Sequence, residues 1–212
     1  MFLYVFAVFQ KMRIAIDFDG TIANTYLLQQ RFCKERFGIH LPLEASVGTL
    51  RKSFLITEER IKEAKEYVHG EATLSAPLMS GAREAIQKLI AAGHTVIILT
   101  GRVQAGMKYA KEYLAQHRIP YHHFLFVSDD EPRRLKNGEI LSKEAVLHHL
   151  HFDVMIDDQL KELAKLTAAG VTIIILDQPW NRTEDIPPGV IRMNDWKVIP
   201  QFLLTAVPAA AA

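Results

Sequence analysis

The stretch that decides the fold is residues 13–21, Arg-Ile-Ala-Ile-Asp-Phe-Asp-Gly-Thr. Its first half is near-continuously apolar, the pattern of a strand covered on both faces. Its second half is a sharp turn, for which Gly20 has the backbone freedom and Thr21 a hydroxyl able to bond the turn or cap the next segment. Asp17 and Asp19 stand two residues apart at the strand end, so a continuing strand would point both carboxylates the same way. Placed together they repel, and a cation or a proton must offset the charge. One can then bind a metal and attack phosphorus while the other handles protons. Taken alone, Asp-Phe-Asp-Gly is as readily a capped turn with solvated acids.

Working outward, four more apolar runs follow: residues 94–100 (HTVIILT), 124–127 (FLFV), 152–156 (FDVMI) and 171–176 (VTIIIL). Amphipathic helical patterns separate them, over residues 81–92, 103–117, 142–149 and 159–169, with Gly93 and Gly170 placed as left-handed caps. This alternation predicts an α/β fold with a doubly wound, mostly parallel, five-stranded Rossmann-like sheet. Residues 24–80 break the rhythm with two helical patterns, near 25–37 and 57–69, and loop-like prolines at positions 42 and 77. They read as a small helical cap inserted after the first strand. Ligands of open α/β sheets sit beyond the carboxyl ends of the strands, so an insert leaving that edge can fold over the site as a lid. The expected organisation is a catalytic core over 12–23 and 81–205, a cap over 24–80, an extension over 1–11 and a disordered tail over 206–212.

The totals narrow the function classes. A net charge of +1 gives no bulk attraction to nucleic acid or an anionic membrane. The apolar opening, residues 1–9, is far shorter than the ~20 residues a membrane-spanning helix needs. Lys11 and Arg13 follow that run, whereas a signal peptide places its basic residues first. The single cysteine, Cys33, cannot make an internal disulfide and fits a reducing cytoplasm. Neither nucleic acid nor a membrane is an expected partner, and the expected state is a monomer or homodimer.

Three further features bear on the first motif. Thr100-Gly101-Arg102 ends the second apolar run as Asp17 ends the first; a hydroxyl beside the N–H groups of a helix start makes a site for phosphate oxygens. Asp157-Asp158 follows the fourth run, and paired carboxylates at that edge are costly unless they hold a hard cation such as magnesium. Lys143 opens the helix before that run, where it can neutralise a nucleophile and a phosphoryl group together. Each has a bland account alone: a helix cap, a turn and a surface lysine.

Together and in this order, the Asp17–Thr21 motif, Thr100, Lys143 and the Asp157-Asp158 pair resemble the haloacid dehalogenase-like superfamily of hydrolases. The resemblance implies that Asp17 is the nucleophile of a phosphatase, forming an aspartyl-phosphate. Asp19 would protonate the leaving group and then activate water, and Thr100 and Lys143 would bind the phosphoryl group. It implies Mg²⁺, held by the Asp17 side chain, the Asp19 backbone carbonyl and the acidic pair, with Asp157 favoured as direct ligand and Asp158 as its partner. Asp19 disfavours the dehalogenating branch, which lacks the second acid. The cap and Asp177-Gln178-Pro179-Trp180-Asn181-Arg182 are similar to the 5′(3′)-deoxyribonucleotidase branch and its bacterial relatives, which implies a nucleoside monophosphate substrate. A sugar-phosphate phosphatase, a phosphotransferase or mutase, and a silent binder of a phosphorylated ligand are the alternatives. Trp180 and Arg182 could lie near a ligand or pin the loop onto the sheet, the second being favoured.

Other clusters carry less. His122 and His123, adjacent on a strand, would face opposite ways, and His148, His149 and His151 suit a helix end better than zinc. Asp129-Asp130-Glu131 reads as a solvated loop, Arg51, Lys52 and Arg60 as a solvated face, and Cys33 as core.

Overall fold

The computed structural model describes residues 11–44, 56–128, 132, 141–182 and 185–206. Most of the extension, the tail beyond Ala206, the acidic loop at 129–131, and Arg51 and Lys52 lie outside the described residues. Six strands form one sheet: β1 (Arg13–Ile16), β2 (Thr95–Thr100), β3 (His123–Phe126), β4 (Val154–Asp157), β5 (Thr172–Leu176) and β6 (Val190–Met193). Their order is β3-β2-β1-β4-β5-β6, every neighbouring pair is parallel, and β1 lies at the centre. The α-helices among the described residues are α1 (Thr25–Phe37), α2 (Glu58–His69), α3 (Ala82–Ala91), α4 (Met107–Gln116), α5 (Lys143–His149) and α6 (Ile199–Ala206).

The continuous apolar runs are explained by two cores, one on each face. Ile14, Ile16, Ile98, Ile156 and Ile174 pack against the apolar sides of α3, α4 and α6. Ala15, Ile97, Leu99, Met155, Ile173 and Ile175 turn the other way, toward Val146 and Leu147 of α5 and toward Leu163 and Leu166. The sheet is therefore doubly wound, as the alternation of elements predicts. Two elements depart from the expectation. The sheet has a sixth strand, β6, an edge strand whose Ile191 and Arg192 are half-buried, so it lacks the apolar run that marks the others. Residues 159–169 do not make an α-helix; Lys161–Ala169 is a 3₁₀ run closed by left-handed Gly170.

The insert leaves and rejoins the sheet through a clamp. Asn24 N–H donates to the Pro77 carbonyl at 2.8 Å and Met79 N–H to the Ile22 carbonyl at 2.8 Å. Ala23 and Leu78 make an isolated antiparallel bridge between them. Asn24 caps α1 by accepting from Leu27 N–H, and Thr57 caps α2 by accepting from Arg60 N–H. Between the two helices Cys33, Ile56, Ile61 and Ala64 form a separate small core. Cys33 is thus a packing residue, and burial pushes its thiol pKa up, away from reactivity.

Candidate active site

Strand register explains why distant residues meet. Ile16 is paired with Ile156 and Ile98, so Asp17 and Asp157 end neighbouring strands side by side. The Asp17 N–H donates to the Ile156 carbonyl at 2.9 Å, fixing that alignment. By the two-residue alternation of a strand, Asp17 shares the face of Ala15, and Asp157 that of Met155, the face α5 covers. Ser142 caps α5 by accepting from Ala145 N–H at 3.0 Å, which places Lys143 at the helix start. Its Nζ donates to Asp17 Oδ1 at 2.6 Å and to Asp157 Oδ2 at 2.9 Å.

Asp158 turns elsewhere. Its Oδ2 accepts from Trp180 Nε1 at 2.7 Å and its Oδ1 from Thr21 Oγ1 at 3.3 Å. Asn181 Nδ2 donates to the Asp158 carbonyl at 2.7 Å, so the loop after β5 grips both ends of this residue. Trp180 stacks on Tyr26, with ring centroids 3.9 Å apart, and the Tyr26 hydroxyl accepts from Gln159 Nε2 at 2.8 Å. Arg182 pairs with Asp177 at 2.9 Å on the surface. Trp180 thus ties the loop to Asp158 and Tyr26, and Arg182 ties back to Asp177 within it. Gly20 has φ +77°, and a Cβ there would collide with the Asp158 carboxylate and the Tyr26 ring, so this turn demands glycine.

Oxygens of Asp17, Asp157 and Asp158 all lie within 4.8 Å of one another, and all three residues are buried. One lysine faces them. Burial pushes the Asp17 carboxyl up, Lys143 pulls it down, and Asp157 and Asp19 push it up again; the balance is about 7. Asp158 is raised well above the carboxylate range by burial first, then by Asp157 and Asp17. Three buried acids with one cation between them, of which Asp17 and Asp158 are raised, fit a hard divalent ion that would restore the balance. Among the described residues this is the group of three metal-capable side chains, and it includes none of the histidines.

Asp19 stands apart from that group. β1 ends at Ile16, and the chain turns around Asp19, where Gly20 N–H donates to the Ala23 carbonyl at 2.8 Å. The two-residue rule for a strand stops applying there. Arg102 meets Asp19 with both prongs of its guanidinium, Nε to Oδ2 at 2.8 Å and Nη2 to Oδ1 at 2.7 Å. Burial works to raise the Asp19 carboxyl, and Arg102 overrides it, holding the group below the usual carboxylate range. Arg102, expected among the phosphate ligands, is wholly buried and turned toward Asp19. Thr100 is buried at the end of β2, where its Oγ1 accepts from Arg102 N–H at 3.3 Å; Gly101 next to it is exposed. Sequence reasoning missed Tyr26 and Thr73, neither of which carries a motif.

A parallel α/β sheet with a buried acidic cluster and a lysine at its carboxyl edge, and an insert after its first strand, defines a haloacid dehalogenase-like hydrolase. Residues 11–208 match the family model for the 5′ nucleotidase, deoxy (pyrimidine), cytosolic type C protein (NT5C). The chain belongs to this family and is a phosphoric monoester hydrolase. It is 25% identical over 191 residues to a candidate nucleotidase of Halalkalibacterium halodurans, covering 88% of this chain and 90% of that one. A nucleotidase of Clostridium acetobutylicum is 21% identical over 188 residues, covering 88% and 91%. Among solved structures, a predicted phosphatase of Clostridium acetobutylicum superposes with a TM-score of 0.61 at 13% identity, covering 92% of this chain and 99% of that chain. The hydrolase YfnB of Bacillus subtilis, crystallised with magnesium, gives 0.59 at 14% identity, covering 92% and 99%.

Proposed function

We propose that the protein is a Mg²⁺-dependent phosphatase of small phosphate monoesters, in particular nucleoside monophosphates, working through an aspartyl-phosphate on Asp17. The observation that carries this reading is Lys143 bridging Asp17 and Asp157 within a buried set of three acids. The Asp17 and Asp157 side chains, the Asp19 backbone carbonyl and Asp158 would hold the ion. When bound, Mg²⁺ supplies positive charge that keeps Asp17 ionised at neutral pH and draws charge from the phosphoryl oxygens.

The chain's residues then divide the work. Lys143 holds Asp17 Oδ1, leaving the other carboxylate oxygen to attack phosphorus. A bond forms from Asp17 to phosphorus as the ester bond breaks, and Asp19, which Arg102 holds as a carboxylate, relays the proton carried by the monoanionic ester to the leaving oxygen. Asp19, again a carboxylate, takes a proton from water; that water attacks the phosphorus, releasing phosphate and freeing Asp17. Thr100, the Gly101 backbone and Lys143 would bind the phosphoryl oxygens at the end of β2 and the start of α5. The nucleoside substrate is supported by the family and by the names of its relatives. Buried Cys33 fits a reducing cytoplasm, and no helix among the described residues is long and apolar enough to cross a membrane.

A panel of nucleoside and deoxynucleoside monophosphates, sugar phosphates and an aryl phosphate, with and without Mg²⁺, tests the reading. Release of inorganic phosphate, dependent on Mg²⁺ and lost in Asp17→Asn, is expected. Mg²⁺-independent turnover, or phosphate moved between positions of a sugar without release to water, refutes it.

A further inference from the structure

Arg102 is the one residue whose observed place departs from the role its motif implies. Its three guanidinium nitrogens all donate within the protein. Nε and Nη2 grip the two oxygens of Asp19. On the other side Nη1 donates to Thr73 Oγ1 at 2.8 Å, and Nη2 reaches the Val68 carbonyl at 3.5 Å. Thr73 Oγ1 in turn donates to the Val68 carbonyl at 2.7 Å. Val68 lies in the last turn of α2, and Thr73 in the 3₁₀ segment Glu71–Ser75 that leads the insert back to the sheet. The guanidinium carbon lies 4.7 Å from the centroid of the Phe18 ring, the residue between the two acids of the first motif.

The backbone is shaped for this approach. A Cβ on Gly106 would meet the His69 carbonyl oxygen at 3.2 Å and its Cβ at 3.3 Å, so glycine lets the β2–α4 loop lie against the end of α2. The choice of arginine follows from its shape. A planar fork meets a carboxylate with two parallel hydrogen bonds and keeps donors for a third partner, whereas lysine offers a point charge with no fixed direction. A wholly buried arginine is costly as a mere stabiliser, since an apolar side chain of similar volume would serve the core as well or better.

We infer that Arg102 is a positioning residue: it fixes the Asp19 carboxylate in one orientation and ties that orientation to the helical insert through Thr73 and Val68. The inference rests on the reading of Asp19 as the proton donor to the leaving group. Its consequence is specific. A displaced Asp19 delays protonation of the leaving oxygen, which matters greatly for an alkoxide and little for a phenolate that departs unaided. Loss of a phosphate ligand would instead slow every ester alike.

The experiment measures kcat/KM with Mg²⁺ for Arg102→Lys, Arg102→Gln, Thr73→Val and Asp19→Asn. The substrates run from an alkyl or nucleoside monophosphate, through phenyl phosphate, to 2,4-dinitrophenyl phosphate. The Arg102 variants are expected to lose ~100-fold on the alkyl ester, in the range of a general acid's contribution. On the dinitrophenyl ester they are expected to lose less than ~10-fold, because that leaving group needs no proton. Thr73→Val, which keeps the Asp19 pair and removes the tie to the insert, is expected to show the same trend at ~10-fold on the alkyl ester. It also serves if the Arg102 variants fail to fold. A uniform loss across the series overturns the inference for Arg102, and a Thr73→Val enzyme like wild type overturns the tie to the insert. If Asp19→Asn leaves the leaving-group dependence unchanged, the proton-donor reading itself fails. If Asp19→Asn steepens it and the Arg102 variants do not, only the inference about Arg102 fails.

Discussion

Replacing Asp17 by asparagine should stabilise the metal-free protein at alkaline pH while abolishing turnover. In the folded chain the Asp17 carboxyl rises from 3.8 to about 7, through burial and the neighbouring acids and despite Lys143. Because the folded state binds this proton more tightly than the unfolded chain, the stabilisation is complete below the unfolded value and lost as pH climbs to about 7. A rise of that size amounts to about 4 kcal/mol between acid and neutral pH. The asparagine amide carries no proton to lose and keeps an oxygen for Lys143. Urea denaturation in EDTA at several pH values from 4.5 to 8 is the assay. The variant should be ahead by only about 1 kcal/mol at the acid end and by about 2–4 kcal/mol at pH 8. Added Mg²⁺ should restore wild-type stability at pH 8, by about 2.7 kcal/mol at a hundred times its Kd. If both proteins lose stability in parallel as pH rises, or the variant is the weaker at pH 8, the account of the charge cluster is wrong.

Other contacts carry outcomes of their own. Trp180→Phe removes the indole N–H from Asp158 Oδ2, and calorimetric titration should show Mg²⁺ binding weakened about 10–100-fold, the usual effect of losing a ligand's supporting hydrogen bond. Gly20→Ala forces a side chain into left-handed backbone against the Asp158 carboxylate; thermal denaturation should show a loss of at least about 2 kcal/mol, with activity lost too. Lys143→Met should lower kcat about 100–1,000-fold, as removal of one fixed charge stabiliser does, while circular dichroism with Mg²⁺ present shows the fold retained. Ser142→Ala removes the cap of α5 and should cost about 1 kcal/mol in urea denaturation, with a smaller kinetic loss than Lys143→Met.

β1, β2, β4 and β5 were legible because they are buried on both faces and so read as unbroken apolar runs; β3, a half-buried edge strand, was legible because its own run is continuous. β6 was not, because Val-Ile-Arg-Met is neither continuous nor cleanly alternating. The convergence of Asp17, Lys143 and Asp157 follows from motifs at the carboxyl ends of parallel strands and the start of the covering helix. What the motifs did not carry is direction. Asp157 and Asp158 are neighbours in sequence, yet one faces Lys143 and the other Trp180. The turn after β1 is closed by hydrogen bonds among residues 18–23, and there Asp19 meets Arg102. Arg102 looked like a phosphate ligand because its motif lies beside Thr100; only the path of the insert brings Thr73 and the Val68 carbonyl to its other side.

These directions let four acids share one strand edge. Their donors are Lys143 for Asp17 and Asp157, Trp180 and Thr21 for Asp158, and Arg102 for Asp19. The donors differ in kind, and so does what each leaves undone. Arg102 is a full charge in bidentate contact and, with His69 and Thr25 adding to it, holds Asp19 ionised. Trp180 and Thr21 are neutral, so they orient Asp158 without offsetting its charge, and its carboxyl stays raised. Lys143 divides one charge between two acids and leaves Asp17 near 7. The deficit of positive charge is therefore concentrated on Asp17, Asp157 and Asp158, where a divalent ion would fit, and is absent at Asp19, whose work is with protons. The carboxylates proposed as nucleophile and as proton carrier thus depend on different cations although only one residue separates them in the chain, and Asp19 still adds to the charge that raises Asp17.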